Sequence, residues 1–417
     1  MQKLLIIIIG MVLFFSFGYS TMLENLDIGG FISMGYTKSS QKNIGLKKVL
    51  KDFMYSDEVA LTLWTSFDSQ LNMGLQFMAR EFGIEGNNNV NLDWAVIDYQ
   101  MSDLLGFRVG KIKRLFGFYN HIRDVNTVLP WIEMPSSIYF NEDMRQFFLS
   151  VLGGSLYGTI YLPMGMGELS YNTYFGESEL KDNVLLDEWI NVAGKIKHQD
   201  VEILHKSLEW EPKLGYAFLL SDFYVPGFTI GYSFMAGKEV YNATITGLQY
   251  NDDDSSSALF QKTEGYIDVP YCNIYSVSYE KGPLTLAGEY SLLNAKMKDT
   301  IYSPDVVDQT KEGSYLFAGY QLLDWLKLYS YYGVDYFDKD DKGGNSHKQY
   351  GQPSYLAWKK DLALGLQFNI NEVFSIKVES HNVDGVGSFM KVHSDTGNGK
   401  HESRYWDYLS VKANILF

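Results

Sequence analysis

Period two governs this chain. In "DLALGLQFNI" the residues Leu362, Leu364, Leu366, Phe368 and Ile370 fall on one face of an extended backbone, and Ala363, Gly365, Gln367 and Asn369 fall on the other. "LNMGLQFMAR" sets Leu71, Met73, Leu75 and Phe77 against Asn72, Gly74, Gln76 and Arg80. "LTLAGEYSLL" sets Leu284, Leu286, Tyr290 and Leu292 against Thr285, Glu289 and Ser291. "FSIKVESHN" opposes Phe374, Ile376 and Val378 to Ser375, Lys377, Glu379 and His381, and the last strand opposes Leu409, Val411, Ala413 and Ile415 to Ser410, Lys412 and Asn414. Each segment is a strand with one oily face and one wet face. Such strands build either a sandwich with the oily faces inward or a membrane-spanning structure with them outward.

The connections separate the two. Starting at Leu26–Tyr36, about sixteen strands of roughly ten residues follow, the length that crosses a bilayer at a tilt. Tight turns fall near Asp68, Ser102, Pro163–Gly165, Tyr224–Gly227, Gly282, Asp324 and Asn371, alternating with long links near 37–52, 84–90, 116–147, 176–213, 240–269, 296–312, 338–360 and 387–403. Short turns at one end and long loops at the other are the pattern of a transmembrane antiparallel β-barrel, turns toward the periplasm and loops outside. Eighteen strands result if "VEILHKSLEWEP" contributes two extra edges, and a weak helical period through Leu180, Val184, Leu185 and Trp189 marks a short helix within 177–199. Aromatic residues at strand ends, Tyr36, Trp64, Trp325, Tyr336, Trp406 and Tyr408, suit the headgroup level of a membrane.

Residues 1–20, "MQKLLIIIIGMVLFFSFGYS", have a basic start, an apolar run and a small-x-small ending, which reads as a secretory signal peptide before a single barrel domain over 21–417. The expected location is the outer membrane of a Gram-negative bacterium. A formal net charge of -15 excludes nucleic acid as a natural partner, because phosphate binding needs a dominant basic surface. The single Cys272 permits neither an internal disulfide nor a multi-thiolate metal site, and no cofactor motif is present. Acidic runs at Asp252–Asp254 and at Asp338, Asp340 and Asp341 are either solvated loop surface or points of cation-bridged contact with lipopolysaccharide.

Against this acidic background, "GKIKRLFGFYNHIRDVNTVLPWIEMPSSIYF" packs Lys111, Lys113, Arg114 and Arg123 together and then runs on with neither helical nor strand period. The segment follows the fifth strand on the long-loop side. A barrel with a long, charged third external loop resembles the porin superfamily, in which that loop folds inward and narrows the lumen. More narrowly, Gly117, Tyr119, Asn120, Arg123 and Asp124, followed by Pro135, Ser137, Ile138 and Tyr139, resemble a porin-like loop motif, Gly-x-Tyr-Asn-x-x-Arg-Asp with Pro-x-Ser-Ile-Tyr. The span between the two halves, "NTVLPWI", lacks the basic residue that the pattern would place before Pro130. The resemblance implies passive diffusion of small hydrophilic solutes through a homotrimer, with 116–147 as the constriction loop.

In a water-filled bore the narrowest section and its charges decide what crosses, because low-dielectric walls focus the field there. Arg80, Arg108, Lys111, Lys113, Arg114, Arg123 and Arg145 are the candidate inward cations, and Asp124, Glu133, Glu142 and Asp143 supply an opposing row. Each could equally staple the loop to the wall, and adjacent Lys113 and Arg114 cannot both face inward from a regular strand. Three rival functions stay open: a selective anion or sugar channel using Arg123, Arg145, Tyr119 and Tyr139; a barrel hydrolase using His381 beside Glu379; and an adhesin-like barrel. No nucleophile elbow, zinc-binding His pair or phosphate loop accompanies His381. Sequencing the amino terminus of protein taken from outer membranes should begin at Thr21; a chain that still carries Met1 contradicts the leader.

Overall fold

The computed structural model describes residues 25–40, 43–44, 47–48, 53–81, 89–139, 148–177, 199–211, 213–250, 256–300, 303–349, 351–386 and 403–417. The leader, Arg145, Glu142, Asp143, Asp252–Asp254 and the helical period after Glu177 lie outside these residues.

Sixteen strand positions form a closed antiparallel barrel. They are β1 (Leu26–Ser39), β2 (Phe53–Ser66), β3 (Leu71–Glu81), β4 (Asn91–Ser102), β5 (Leu105–Lys113), β6 (Ser150–Tyr161), β7 (Glu168–Glu177), β8 in two pieces (Gln199–Glu211 and Lys213–Ser221), and β9 (Phe228–Tyr250). Then come β10 (Ser256–Lys281), β11 (Leu284–Asp299), β12 (Ser303–Leu323), β13 (Leu326–Tyr336), β14 (Trp358–Asn369), β15 (Phe374–Gly385) and β16 (Tyr405–Leu416). Strands pair with their sequence neighbours throughout, and β16 returns to β1, with Ile32 opposite Ile415 and Tyr36 opposite Val411. On the inner side of that seam Ser33 Oγ donates to Asn414 Oδ1 at 2.9 Å, and the Thr37 and Ser410 hydroxyls lie 2.8 Å apart. Closure leaves no free edge around the barrel wall, the condition for backbone to cross hydrocarbon.

The faces are inverted relative to a soluble core. Leu364 is 55% exposed and Leu316 72%, whereas Lys377, Glu379 and His381, on the opposite face of β15 from Ile376 and Val378, are fully buried inside the barrel. Alternation in the sequence therefore reports lipid on one side and a polar interior on the other. Of the aromatic residues expected at the rim, Tyr36, Tyr336 and Trp325 belong to the outer face or its edge. Trp406 and Tyr408 share the inward parity of Ser410 and are 4% and 5% exposed, and Trp64 packs on the interior cluster.

Besides the inward placement of Trp64, Trp406 and Tyr408, two further expectations are corrected. Residues 199–211 do not add two strands; they continue β8 and pair with 238–249 of β9, while the second piece pairs with 229–235, so the count is sixteen and not eighteen. Pro212, which has no N–H to give a ladder, stands between the pieces in the sequence. The stretches 240–269 and 296–312 are mostly strand rather than loop: β9, β10 and β12 run for 23, 26 and 21 residues, about twice the length that crosses a bilayer. Beyond the membrane neither face has to be apolar, so the alternation that reveals a strand disappears while the pairing continues. The tight turns lie where the sequence places them; at β2–β3, Asp68 Oδ1 accepts from the N–H groups of Gln70 and Leu71, both at 2.7 Å, which holds its carboxyl below the usual range.

Leu364→Arg, on the lipid face, should lower the unfolding free energy in vesicles by about 2–4 kcal/mol, and the conservative Leu364→Met should leave it nearly unchanged. Equal urea midpoints for the two variants would show that this face does not meet lipid.

Candidate functional site

The chain leaves β5 at Lys113, turns into the barrel and remains inside to Tyr139. Only two short turns of helix interrupt it, Asn120–Ile122 and Ser136–Tyr139. A segment without regular structure leaves its N–H and C=O groups unmatched, and in a water-poor interior each needs a partner. Charged side chains of the wall supply them. Glu379 of β15 accepts from the N–H groups of Ile132 at 3.0 Å and Glu133 at 3.1 Å. Lys377, two residues earlier on the same face, donates to the carbonyl oxygens of Asn126 at 2.6 Å and Trp131 at 3.4 Å, and also to that of Leu129. Lys311 of β12 donates to Ser136 and Ser137 carbonyls and pairs with Asp335 at 3.0 Å. Glu289 of β11 accepts from Phe118 N–H at 2.9 Å, Ser276 Oγ at 2.6 Å, Tyr315 hydroxyl at 3.0 Å and the Tyr139 hydroxyl.

The motif residues are explained by this seating. Gly117 has φ +61, and a Cβ there would stand 2.8 Å from both Glu289 Oε1 and the Tyr139 hydroxyl, so glycine is required on both counts. Asn120 is fully buried and its amide ties the two ends of the loop, donating to Arg114 O at 3.1 Å and Phe148 O at 2.9 Å. Arg123 donates to Asn120 Oδ1 at 3.4 Å and Tyr139 O at 3.2 Å. Pro135 O starts the second helical turn by accepting from the N–H groups of Ile138 and Tyr139. On the wall, Gly313 of β12 lets that turn approach; a Cβ there would lie 1.8 Å from Ser137 O. Tyr119 and Trp131 meet edge to face at 5.0 Å, and Trp131 meets Tyr315, Phe317 and Tyr331 in the same way at 5.4–5.8 Å. Trp131, Ile138, Tyr139, Phe116 and Phe148 are all 0% exposed, so the loop brings a dry aromatic core into the lumen.

The other candidate charges are also engaged. Lys113 pairs with Asp93 at 2.8 Å and Asp124 at 2.7 Å, and Arg80 lies 3.9 Å from Glu58, which also holds Lys412 at 2.7 Å and Asn126 at 2.8 Å. Lys111 Nζ donates to Leu92 O at 2.6 Å. Arg108 pairs with Asp98 at 2.7 Å and lies over the Tyr157 ring at 4.7 Å, yet keeps 30% of its side chain exposed. Arg114 is 1% exposed, with Nη1 3.1 Å from the Met235 sulfur and its guanidinium 5.8 Å from the Tyr174 ring centre. Lys113 and Arg114 both turn inward because Arg114 is the first residue past β5, where strand parity no longer applies. Glu133 contributes backbone contacts to Glu379 and Tyr331.

Sequence reasoning did not single out Glu58, Glu289, Lys311 or Lys377 as parts of the site, and it placed Glu379 beside His381 as a hydrolase candidate rather than as a holder of the loop. A signal existed, since Lys377, Glu379 and His381 put three ionisable groups in a row on one inward face. His381 lies between Asp361 at 2.9 Å and Glu379 at 2.7 Å and stacks on Tyr408 at 4.0 Å; with 0% exposure and both nitrogens committed, it presents no nitrogen to a substrate.

No protein-family model and no curated protein matches the chain. Solved structures do. A loop-deletion mutant of OmpT, an outer membrane protein of Vibrio cholerae, aligns over 94% of this chain and 99% of its own, with 9% identity and TM-score 0.52. OmpF of Salmonella typhi aligns over 94% and 98% with 14% identity and TM-score 0.52. OprB of Pseudomonas putida aligns over 94% of each chain with 10% identity and TM-score 0.52. These likenesses show the fold, a sixteen-stranded barrel of the outer-membrane kind.

Removing Glu379 strands two loop N–H groups, the Tyr329 hydroxyl and one face of His381, so Glu379→Ala should cost about 3–5 kcal/mol of stability and expose 114–139 to protease. Protease resistance and a urea midpoint equal to the parent's would refute the seating. His121, inside the loop, is lowered to about 4 by burial and by Lys113. Its folded value lies below the ordinary 6.5 or so, so the seated loop loses stability as pH falls from about 6.5 toward 4 and is unaffected above that window. Protease cleavage of the loop, compared at pH 7 and pH 5 in the parent and in His121→Gln, reads this effect, which should shrink in the variant.

Proposed function

We propose that this chain is an outer-membrane channel passing small hydrophilic solutes passively, restricted by its third external loop. One observation carries the reading: a closed barrel with lipid-facing apolar residues and a polar interior, into which the third loop folds and is fastened by wall charges. A barrel that served only as an adhesin has no use for charged groups placed to hold a segment across its own interior. The charges assigned to a selectivity ring act, in this reading, first as fasteners, with Arg108 the candidate for touching solute because its side chain stays 30% exposed. Selective passage of anions or sugars is the second reading, and non-enzymatic function is part of the proposal, supported by the enclosure of His381 between two carboxylates. Homotrimeric assembly, targeting by the leader and cation-bridged contact of the acidic loops with lipopolysaccharide complete it.

Planar-bilayer recording in a salt gradient tests the channel. The parent should give small unitary conductance steps, Glu379→Ala larger and noisier ones as the loop loosens, and Arg108→Ala a reversal potential shifted toward cation preference. Absence of any conductance in folded, heat-modifiable protein, including the loosened variant, would eliminate a channel function.

A further inference from the structure

At the turn end of the barrel a cleft of about 500 Å³ opens beneath the inward loop. Thr127 of the loop lines it, and the β12–β13 turn, the ends of β14 and β15 and the turn between those two strands supply the rest. Its polar groups are only partly used. Gln367 Nε2 donates to Asn369 Oδ1 at 2.7 Å, which leaves the Gln367 carbonyl oxygen and the Asn369 amide N–H groups to a further partner. Asn371 Oδ1 is taken by the N–H groups of Val373 at 3.0 Å and Phe374 at 2.8 Å, leaving its own amide N–H groups.

The hydroxyls of Thr127 and Ser375 are buried with no hydrogen-bond partner, and Ser375 is only 7% exposed. Asn414, opposite Ser375 across β15–β16, has its amide nitrogen in the same condition while its oxygen accepts from Ser33. Each such orphan is destabilising until it finds a partner. Thr127 and Ser375 line the opening and Asn414 does not, so a hydrogen-bonding molecule in the cleft gains the two hydroxyls once side-chain rotation turns them toward it.

The charge pattern narrows its class. Among the described residues none that lines the cleft is cationic, Lys327 and Lys377 standing one strand to either side of Gln367 without lining it, and the lining carboxylates of Asp324 and Glu372 repel anions. Trp325 also borders the cleft at the barrel edge, with its indole stacked on the outward Phe368 at 6.3 Å. Intermixed donors and acceptors and two carboxylates suit a molecule that both donates and accepts and carries no negative charge. We infer that the cleft is a binding site for a neutral polyhydroxylated solute, a saccharide or similar polyol, at the periplasmic mouth of the barrel. The inference rests on the channel reading, since a solute reaches this place by passing the loop.

Detergent-purified full-length protein titrated with glucose, followed by tryptophan fluorescence and saturation-transfer NMR, tests the site. Gluconate serves as the anionic counterpart of the same size, and conductance is recorded on the same samples. Glucose should bind saturably and gluconate more weakly. Asn369→Ala, Gln367→Ala and Ser375→Ala should each weaken glucose about 5–10-fold, with heat-modifiable migration showing that the variants are folded. Non-saturable glucose signals, affinities unchanged in all three variants, or gluconate binding as tightly as glucose would overturn the assignment. Saturable glucose binding in a protein without conductance would uphold the cleft and remove the channel.

Discussion

Every structural feature here answers to one constraint, that backbone polar groups cut off from water must be paired. In the wall the constraint is met by ladder hydrogen bonds and by the return of β16 to β1. In the lumen it cannot be met that way, because the inward loop has no neighbouring strand. The wall therefore contributes side chains in place of a ladder: carboxylates where the loop presents N–H groups, ammonium groups where it presents carbonyls. A neutral hydroxyl could reach one such group, whereas Glu379 and Lys377 each serve two or three. Charge-assisted bonds are also roughly twice as strong as neutral ones, which helps offset the desolvation of burying the charge.

The same arrangement explains why an acidic chain concentrates cations next to its most irregular segment. Lys113, Arg114 and Arg123 meet Asp93, Asp124 and backbone carbonyls and become part of the fastening of the loop, while Lys111 bonds Leu92 O of the adjacent wall strand. A field across a pore needs opposite charges held apart; here the described charges are drawn into contact. What the interior keeps in reserve is local, as at Arg108 and in the cleft beneath Thr127. Fastening and permeation are thereby separated along the barrel axis: the loop is packed dry in its middle, while its lower side meets a polar opening.

Parts of this were legible in the sequence for a simple reason. Lipid on one side of a strand and polar groups on the other impose period two, so Leu364, Ile376 and Val411 can be assigned outward without any structure. Tight turns were legible because they need particular residues, as with Asp68 capping Gln70 and Leu71. The pattern failed where its cause is absent. Above the bilayer β9, β10 and β12 continue with no apolar face to maintain, and 199–211 extends β8 by pairing alone.

The candidate site was half legible. Motif spacing marked Gly117, Asn120, Arg123 and Tyr139 as belonging together, and a row of ionisable groups on β15 was visible as a row. Which backbone groups those side chains would meet was not, because Glu379 and Ile132 are separated by 247 residues along the chain and come together only when the barrel closes. The amino-acid sequence by itself determined the inversion of faces and the crossing length, since these follow from local period and from turn chemistry, while the inward fold of 116–147 was implied by the resemblance of its motif. Only the tertiary structure decided that the charges fasten the loop and that orphaned hydroxyls meet beneath it, since a contact between distant strands leaves no periodic trace in either one.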